Sequence, residues 1–100
     1  MKSVAWKFLT NHALVLICVT RNEAMRLRDI ADAVGITERA THAILADLVE
    51  GGYVIREKAG RRNVYAVVAE GPLRHPLVDH HQVGGLLKML GNPVDDPSLV

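Results

Sequence analysis

The sequence is poor in cysteine, in aromatic residues and in long apolar runs, and each shortage excludes a class of protein. A single cysteine, Cys18, cannot form an internal disulfide, which excludes the disulfide-stabilised secreted domains. The longest apolar run, residues 13–19, is far shorter than the roughly 20 residues of a membrane-spanning helix. Near the N-terminus, polar residues interrupt the apolar ones, so no secretory signal is evident. We therefore expect one small cytoplasmic domain that makes no contact with a membrane.

Charge of one sign is also lacking, because 12 Lys and Arg residues nearly balance 11 Asp and Glu residues. The distribution along the chain is nevertheless uneven. Residues 1–69 hold ten basic and seven acidic residues, whereas residues 70–100 hold two basic and four acidic ones. The basic surplus therefore lies in the first two thirds of the chain, where a local patch of Lys and Arg residues could bind an anionic partner.

No arrangement of residues in the sequence points to catalysis, to a metal or to a cofactor. The sequence has no glycine-rich phosphate loop, and no pair of acidic residues suggests general acid–base chemistry. His75, His80 and His81 are of a metal-ligand type, but their spacing lacks the i, i+4 pattern of zinc-binding helices. We expect these histidines on a polar surface or at a dimer interface, and we expect Cys18 to be a packed thiol.

What the sequence does contain is a pattern of two short helices joined by a tight turn. Residues 29–34 carry apolar side chains at helical spacing, and the small Ala31 allows a second helix to cross closely. Gly35 supplies the left-handed backbone conformation that often ends a helix. Thr37 is suited to cap the next helix by accepting backbone N–H bonds, and a pair of glycines ends that helix. The pattern predicts a helix-turn-helix whose second helix spans residues 37–51.

Two β-rich segments, residues 53–57 and 63–68, follow directly. Residues 58–62 connect them, and Gly60 in this connection permits a tight turn. These features predict a β-hairpin with arginines at its tip. A helix-turn-helix followed by a hairpin is the layout of a winged helix, which places one helix in the major groove of DNA and the hairpin beside the backbone.

Further elements are predicted on both sides of this unit. A helix is expected to run from about residue 11 to residue 21, and Leu27 is expected to form a brief strand. Pro76 is suited to open a final helix that extends to residue 90. Residues 93–100 are expected to form a mobile acidic tail.

Three segments carry a resemblance to a known family: Arg-Leu-Arg-Asp-Ile-Ala-Asp-Ala-Val-Gly-Ile-Thr-Glu-Arg-Ala, Gly-Gly-Tyr-Val and Gly-Arg-Arg-Asn-Val-Tyr. Residues 27–68 resemble the winged helix-turn-helix of bacterial and archaeal transcriptional regulators, the MarR-like kind foremost. The resemblance implies an α+β, mostly helical fold with the winged domain in residues 1–69 and a linker and C-terminal dimerisation helix in residues 70–92. It also implies a homodimer that binds a roughly palindromic operator.

The resemblance further implies which residues face DNA. They are Thr37, Glu38, Arg39, His42 and Ala43 on the second helix, with Ala46 at its edge, and Lys58, Arg61 and Arg62 on the wing. The family often has arginine or lysine at positions 43 and 46, where this chain has alanine. Arg39 is then the only guanidinium on that helix that can read guanine through two hydrogen bonds. We therefore expect weak sequence readout, with contacts to phosphates supplying much of the binding.

An apolar stripe near the C-terminus predicts a dimer interface. Val83, Leu86, Leu87 and Leu90 recur at helical spacing, and Trp6 adds an aromatic side chain near the N-terminus. A winged helix of this size closes its core by about residue 68, so a two-fold interface explains the surplus apolar residues. A dimer places two recognition helices about one DNA turn apart and so doubles a weak half-site contact.

The sequence therefore predicts a transcriptional regulator that binds duplex DNA as a homodimer, with sequence-specific or semi-specific readout. The alternative is a winged helix used only for protein contact, because a fold alone does not establish a function. In that case Ala40, Ala43 and Ala46 form a flat surface that packs on a partner chain. No residue pattern supports a small-molecule effector.

Overall fold

The computed structural model describes residues 6–91, and this part of the chain folds as four helices and one β-hairpin. In chain order the elements are α1 (Asn11–Arg21), α2 (Leu27–Val34), α3 (Glu38–Glu50), β1 (Val54–Ala59), β2 (Arg62–Val67) and α4 (Val83–Leu90). This order confirms the predicted α+β, mostly helical class, with a two-stranded antiparallel sheet after the helix-turn-helix. The predicted tail, residues 93–100, lies outside the described residues.

Helix α1 is the central element of the core. It begins as predicted, because the hydroxyl of Thr10 accepts a hydrogen bond of 3.1 Å from the backbone N–H of Ala13. Its buried residues are nearly consecutive, so α1 is covered on more than one side, and it contacts α2, α3, β2 and α4. The buried residues of α1 are Val15, Leu16, Ile17 and Val19.

The turn between α2 and α3 has the geometry that the sequence predicts. Gly35 adopts φ +87°, and its N–H donates to the carbonyl oxygen of Ala31, which closes the last turn of α2. Ala31 is almost completely buried where α2 meets α3. The predicted strand at Leu27 is wrong, because Leu27 is the first residue of α2. A single backbone bond, from Tyr65 N–H to the Glu23 carbonyl oxygen, joins the preceding connection to β2, so no ladder forms there.

The hairpin is longer and its turn is tighter than the sequence predicts. Strands β1 and β2 pair in antiparallel register from Val54 opposite Val67 to Ala59 opposite Arg62. Only Gly60 and Arg61 then remain in the turn, and Gly60 alone has a positive φ, of +68°. A positive φ at the first of two central residues is the pattern of a type II′ turn, which suits the twist of a hairpin.

The final helix begins later than predicted, at Val83 rather than at Pro76. The preceding residues form short turns, and this segment is closed by a backbone bond from Leu73 N–H to the His81 carbonyl oxygen. Val83 and Leu87 are 5% and 4% exposed and join the core of the same chain, where α4 contacts α1. This burial corrects part of the predicted dimer stripe, because those two side chains are already covered within one copy.

Candidate nucleic-acid interface

Helix α3 has one buried face and one exposed face. Thr41, Ile44, Leu45 and Leu48 are buried against the core. The exposed residues at helical spacing on the opposite side are Arg39, His42, Ala43 and Ala46, which we call the recognition face. A helix with this division packs on the core through its apolar side and can present its other side to the major groove of DNA.

The start of α3 is fixed by two threonines. The hydroxyl of Thr37 accepts a hydrogen bond of 3.0 Å from the N–H of Ala40, as the sequence predicts for a cap. The completely buried Thr41 donates its hydroxyl to the Thr37 carbonyl oxygen at 2.9 Å. Its polar atom is therefore satisfied inside the core, and the first turn of α3 is held at a defined position.

Glu38, also in this first turn, faces a basic residue of α2. Its carboxylate lies 3.9 Å from the guanidinium of Arg28, and both side chains are largely exposed. The predicted DNA-facing set thus contains one acid that is already paired. Arg39 forms no ion pair within residues 6–91, so its guanidinium is open to a ligand.

The wing, formed by β1, β2 and their turn, carries the predicted basic residues at or beside the turn. Arg61 occupies the second turn position and is exposed at the tip, and Lys58 is exposed on β1 opposite Asn63. Arg62 belongs to β2 rather than to the tip. Its guanidinium donates a hydrogen bond to the carbonyl oxygen of Ala24, in the connection between α1 and α2. Arg62 therefore lies beside the turn, while its side chain reaches back to the connection between α1 and α2.

A cavity of about 320 Å³, here called the wing cavity, separates the wing from the two helices of the helix-turn-helix. Its lining residues come from the start of α2, from α3 and from β2. They are Met25, Arg26, Leu27, His42, Arg62, Asn63 and Tyr65. The cavity brings together two predicted site residues, His42 and Arg62, with a third basic residue, Arg26, to which sequence reasoning gave no role.

Two basic residues near the interface, Arg26 and Arg28, were missed by sequence reasoning. Both belong to the Arg-Leu-Arg motif that opens α2, and both are exposed. The signal was present in the sequence, since basic residues at the start of this helix lie beside the recognition helix in a helix-turn-helix. Arg28 reaches Glu38 on α3, which places it next to the start of the recognition face.

The alanine surface of the alternative hypothesis is only partly exposed. Ala43 and Ala46 are exposed on the recognition face, whereas Ala40 is half-buried. Arg39 lies on the same face as the two exposed alanines. The surface is therefore a mixed one, with small apolar side chains beside a cation.

A second cavity, of about 730 Å³, lies on the other side of α3, between α1, the end of α3 and α4. Val83, Leu86 and Leu87 of the predicted dimer stripe contribute to its lining. At its edge the imidazole of His12 lies 2.9 Å from the carboxylate of Asp47. Trp6, which precedes α1, is 67% exposed, and Phe8 is 91% exposed.

The remaining residues of chemical interest do not assemble into a site in the part of the chain that is described. Within residues 6–91 no three His, Cys, Asp or Glu side chains are placed to hold a metal ion. The rings of His80 and His81 are exposed, and their centroids are 4.3 Å apart. Burial raises the pKa of the Cys18 thiol, and the nearby Arg21 offsets only part of this effect. No helix in the described range is long and apolar enough to cross a membrane.

Comparison with known families finds a similarity over the first three helices of the chain and the first strand of the wing. Residues 10–58 match the family model described as the IclR helix-turn-helix domain. The match covers α1, α2, α3 and almost all of β1, and it stops before β2 and α4. The chain matches no curated protein. The MarR-like kind that the sequence predicted is not confirmed, since the IclR family is a different one.

Proposed function

We propose that this chain is a winged-helix transcriptional regulator that acts as a homodimer with semi-specific readout of duplex DNA, and the match of residues 10–58 to the IclR helix-turn-helix domain supports the proposal. The observation that carries the proposal is the exposed recognition face of α3 with the unpaired cation Arg39. Exposed basic residues flank this face on both sides, Arg28 on α2 and Arg61 at the wing tip. Since its partner is DNA, we assign the protein to the cytoplasm.

The residues of the recognition face have complementary roles in this proposal. Arg39 donates two hydrogen bonds to a guanine in the major groove. Ala43 and Ala46 offer only methyl groups, which make apolar contact with the methyl group of thymine. We therefore propose a half-site that contains guanine next to thymine, with few other fixed bases. Thr37 and Arg61 contact phosphates, which position the helix without reading sequence.

The homodimer part of the proposal rests on apolar side chains that the described chain leaves exposed. Trp6 and Phe8 contact each other edge to face at 4.8 Å between ring centroids, and neither is buried. On α4, Met89 is 71% exposed and Leu86 is half-buried. Trp6 and Phe8 precede α1, and Leu86 and Met89 lie on α4, which packs on α1, so we propose a two-fold interface formed by these two segments.

DNA binding is tested by fluorescence anisotropy with labelled random-sequence duplexes over a series of salt concentrations. We expect binding at about micromolar concentration in low salt that weakens steeply as salt increases. Arg39→Gln and Arg61→Gln should each weaken binding, and Lys88→Gln on α4 is the matched control that should not. Absence of binding by the native chain at low salt would refute the proposal.

The dimer is tested separately by sedimentation equilibrium of the native chain and of a Trp6→Ala/Phe8→Ala variant. We expect a native dimer and a variant shifted towards monomer with unchanged helix content. A selection of bound duplexes should then give two half-sites about one helical turn apart, since two recognition helices follow the symmetry of the dimer. A native chain that remains monomeric at the concentration where it binds DNA would contradict the homodimer.

The protein-interaction alternative keeps one supporting observation, the exposed methyl groups of Ala43 and Ala46. The two functions make opposite predictions for an added charge. Ala46→Lys should strengthen the binding of an anionic duplex and should disrupt packing on an apolar partner surface. An Ala46→Lys variant that gains affinity for DNA therefore favours the regulator.

A further inference from the structure

The wing cavity collects three basic side chains from three separate elements. Arg26 lies at the start of α2, His42 in the middle of α3 and Arg62 at the start of β2. The other lining residues are apolar or neutral, so none of the described residues that line the cavity is a carboxylate. An open, shallow surface that holds two guanidinium groups and an imidazole is complementary to an anion.

The basic groups of the wing cavity are available to a ligand. Neither Arg26 nor Arg62 forms an ion pair with an acid of the described chain. The bond from Arg62 to the Ala24 carbonyl oxygen uses part of the guanidinium, which has five N–H donors, and fixes the side chain against the connection between α1 and α2. Arg26, the N-cap residue of α2, makes no capping hydrogen bond with its side chain, so its guanidinium also stays available.

We propose that Arg26, His42 and Arg62 hold one phosphate group of the DNA backbone in the wing cavity. The inference rests on the proposed function, because phosphates of both strands flank a helix that lies in the major groove. His42 then contacts a phosphate rather than a base. A phosphate held between α2, α3 and β2 fixes the recognition helix and the wing together, and so sets the register of both on the duplex.

The test is the salt dependence of duplex binding by the native chain and by an Arg26→Gln variant. Each neutralised phosphate contributes about 0.9 to the slope of the logarithm of the binding constant against the logarithm of salt concentration. Since a dimer loses this contact in both protomers, we expect Arg26→Gln to reduce the slope by about 1.8 and to weaken the binding of different sequences equally. Arg26 is exposed and uses its side chain for no cap, so the variant should fold, which circular dichroism checks.

The outcomes separate this inference from the proposed function. If Arg26→Gln keeps the native slope while Arg39→Gln weakens binding, the wing cavity does not bind a DNA phosphate. The proposal that the chain binds DNA then still stands. If the native chain binds no duplex at low salt, DNA binding itself fails. Lys88→Gln removes one positive charge from α4 and should keep the native slope, which shows that net charge alone does not explain the effect.

A titration with inorganic phosphate distinguishes the DNA backbone from a free anion. The imidazole signals of His42 are followed by NMR without DNA, while sodium phosphate replaces sodium chloride at constant ionic strength and pH. Saturable shifts that Arg26→Gln abolishes, combined with an unchanged DNA salt slope, would make a free phosphate the occupant and overturn the inference. A reduced slope, with or without such shifts, supports the DNA backbone.

Discussion

The hydroxyl group of Tyr53 donates a hydrogen bond to the carbonyl oxygen of Pro72 and so joins the start of the wing to the segment that leads into α4. The ring of Tyr53 is buried, and a Cβ added at Gly71 would lie only 2.5 Å from it. The Tyr53→Phe variant keeps this packing and loses only the bond. We expect the free energy of unfolding, measured by urea denaturation, to fall by about 1 kcal/mol.

The matched control for this bond is Tyr65→Phe. Tyr65 is about as buried as Tyr53, but of the two tyrosines only Tyr53 hydrogen-bonds through its hydroxyl within residues 6–91. The control should therefore lose much less stability. Equal losses in the two variants would show that the bond to Pro72 does not stabilise the fold.

Two glycines of the described chain should respond to alanine in opposite directions. A Cβ at either Gly35 or Gly85 would meet no atom within 4 Å, so crowding plays no part. Gly35 has φ +87°, and Gly35→Ala should cost about 1–2 kcal/mol because a Cβ is strained in that conformation. Gly85 lies within α4, and Gly85→Ala should stabilise the fold by about 0.5–1 kcal/mol. If the midpoint temperature of thermal unfolding shifts in the same direction in both variants, this account is contradicted.

The features that the sequence predicted correctly depend on short stretches of chain. The turn at Gly35 needs one residue that tolerates a positive φ. The cap at Thr37 needs a hydroxyl three residues before a backbone N–H that has no partner within the helix. Both requirements can be recognised from residue type and spacing alone. The helix-turn-helix could be predicted for this reason, including the division of α3 into a buried and an exposed face.

The features that the sequence did not predict depend on contacts between distant segments. Arg62 follows Arg61 directly, yet its side chain is held away from the tip because the guanidinium hydrogen-bonds to Ala24, 38 positions earlier. The final helix starts at Val83 because the residues before it are tied into turns by the bond from Leu73 to His81. Apolar spacing on α4 could not distinguish a dimer interface from a face that packs on α1 of the same chain.

Two threonine caps allow stability and DNA binding to be separated. Thr10 caps α1 and Thr37 caps α3 through equivalent hydrogen bonds of 3.1 and 3.0 Å. Replacing either residue with alanine should cost about 1 kcal/mol of unfolding free energy in urea. Only Thr37→Ala should also weaken duplex binding, about fivefold for each protomer of the dimer if the lost phosphate contact is worth ~1 kcal/mol. Equal DNA affinities of the two variants would remove Thr37 from the interface.

Cys18 should react slowly with alkylating reagents, and its effect on stability should depend on pH. Burial raises its pKa above the ordinary 9.0, and the thiolate is the reactive form. Iodoacetamide should therefore modify the folded chain more slowly at pH 8 than the urea-unfolded chain, as followed by mass spectrometry.

Above about pH 9 the unfolded chain releases the thiol proton first, so the folded state loses stability as pH rises. The stability difference between the native chain and Cys18→Ala should narrow over that range, and a constant difference would contradict the raised pKa.

Glu38 should restrain DNA binding, because it places a negative charge at the start of the recognition helix and pairs with Arg28 at 3.9 Å. In Glu38→Gln the repulsion from phosphates is lost and Arg28 is released, so duplex affinity at low salt should rise severalfold with a steeper salt dependence. The same change should lower the unfolding free energy by less than about 1 kcal/mol, because the pair is exposed and only the favourable helix-end charge is lost.

Asp47→Asn is the matched control, since Asp47 is an exposed acid of α3 that faces His12 of α1 instead. If Asp47→Asn strengthens DNA binding as much as Glu38→Gln, the gain reflects net charge, and Glu38 does not lie at the interface.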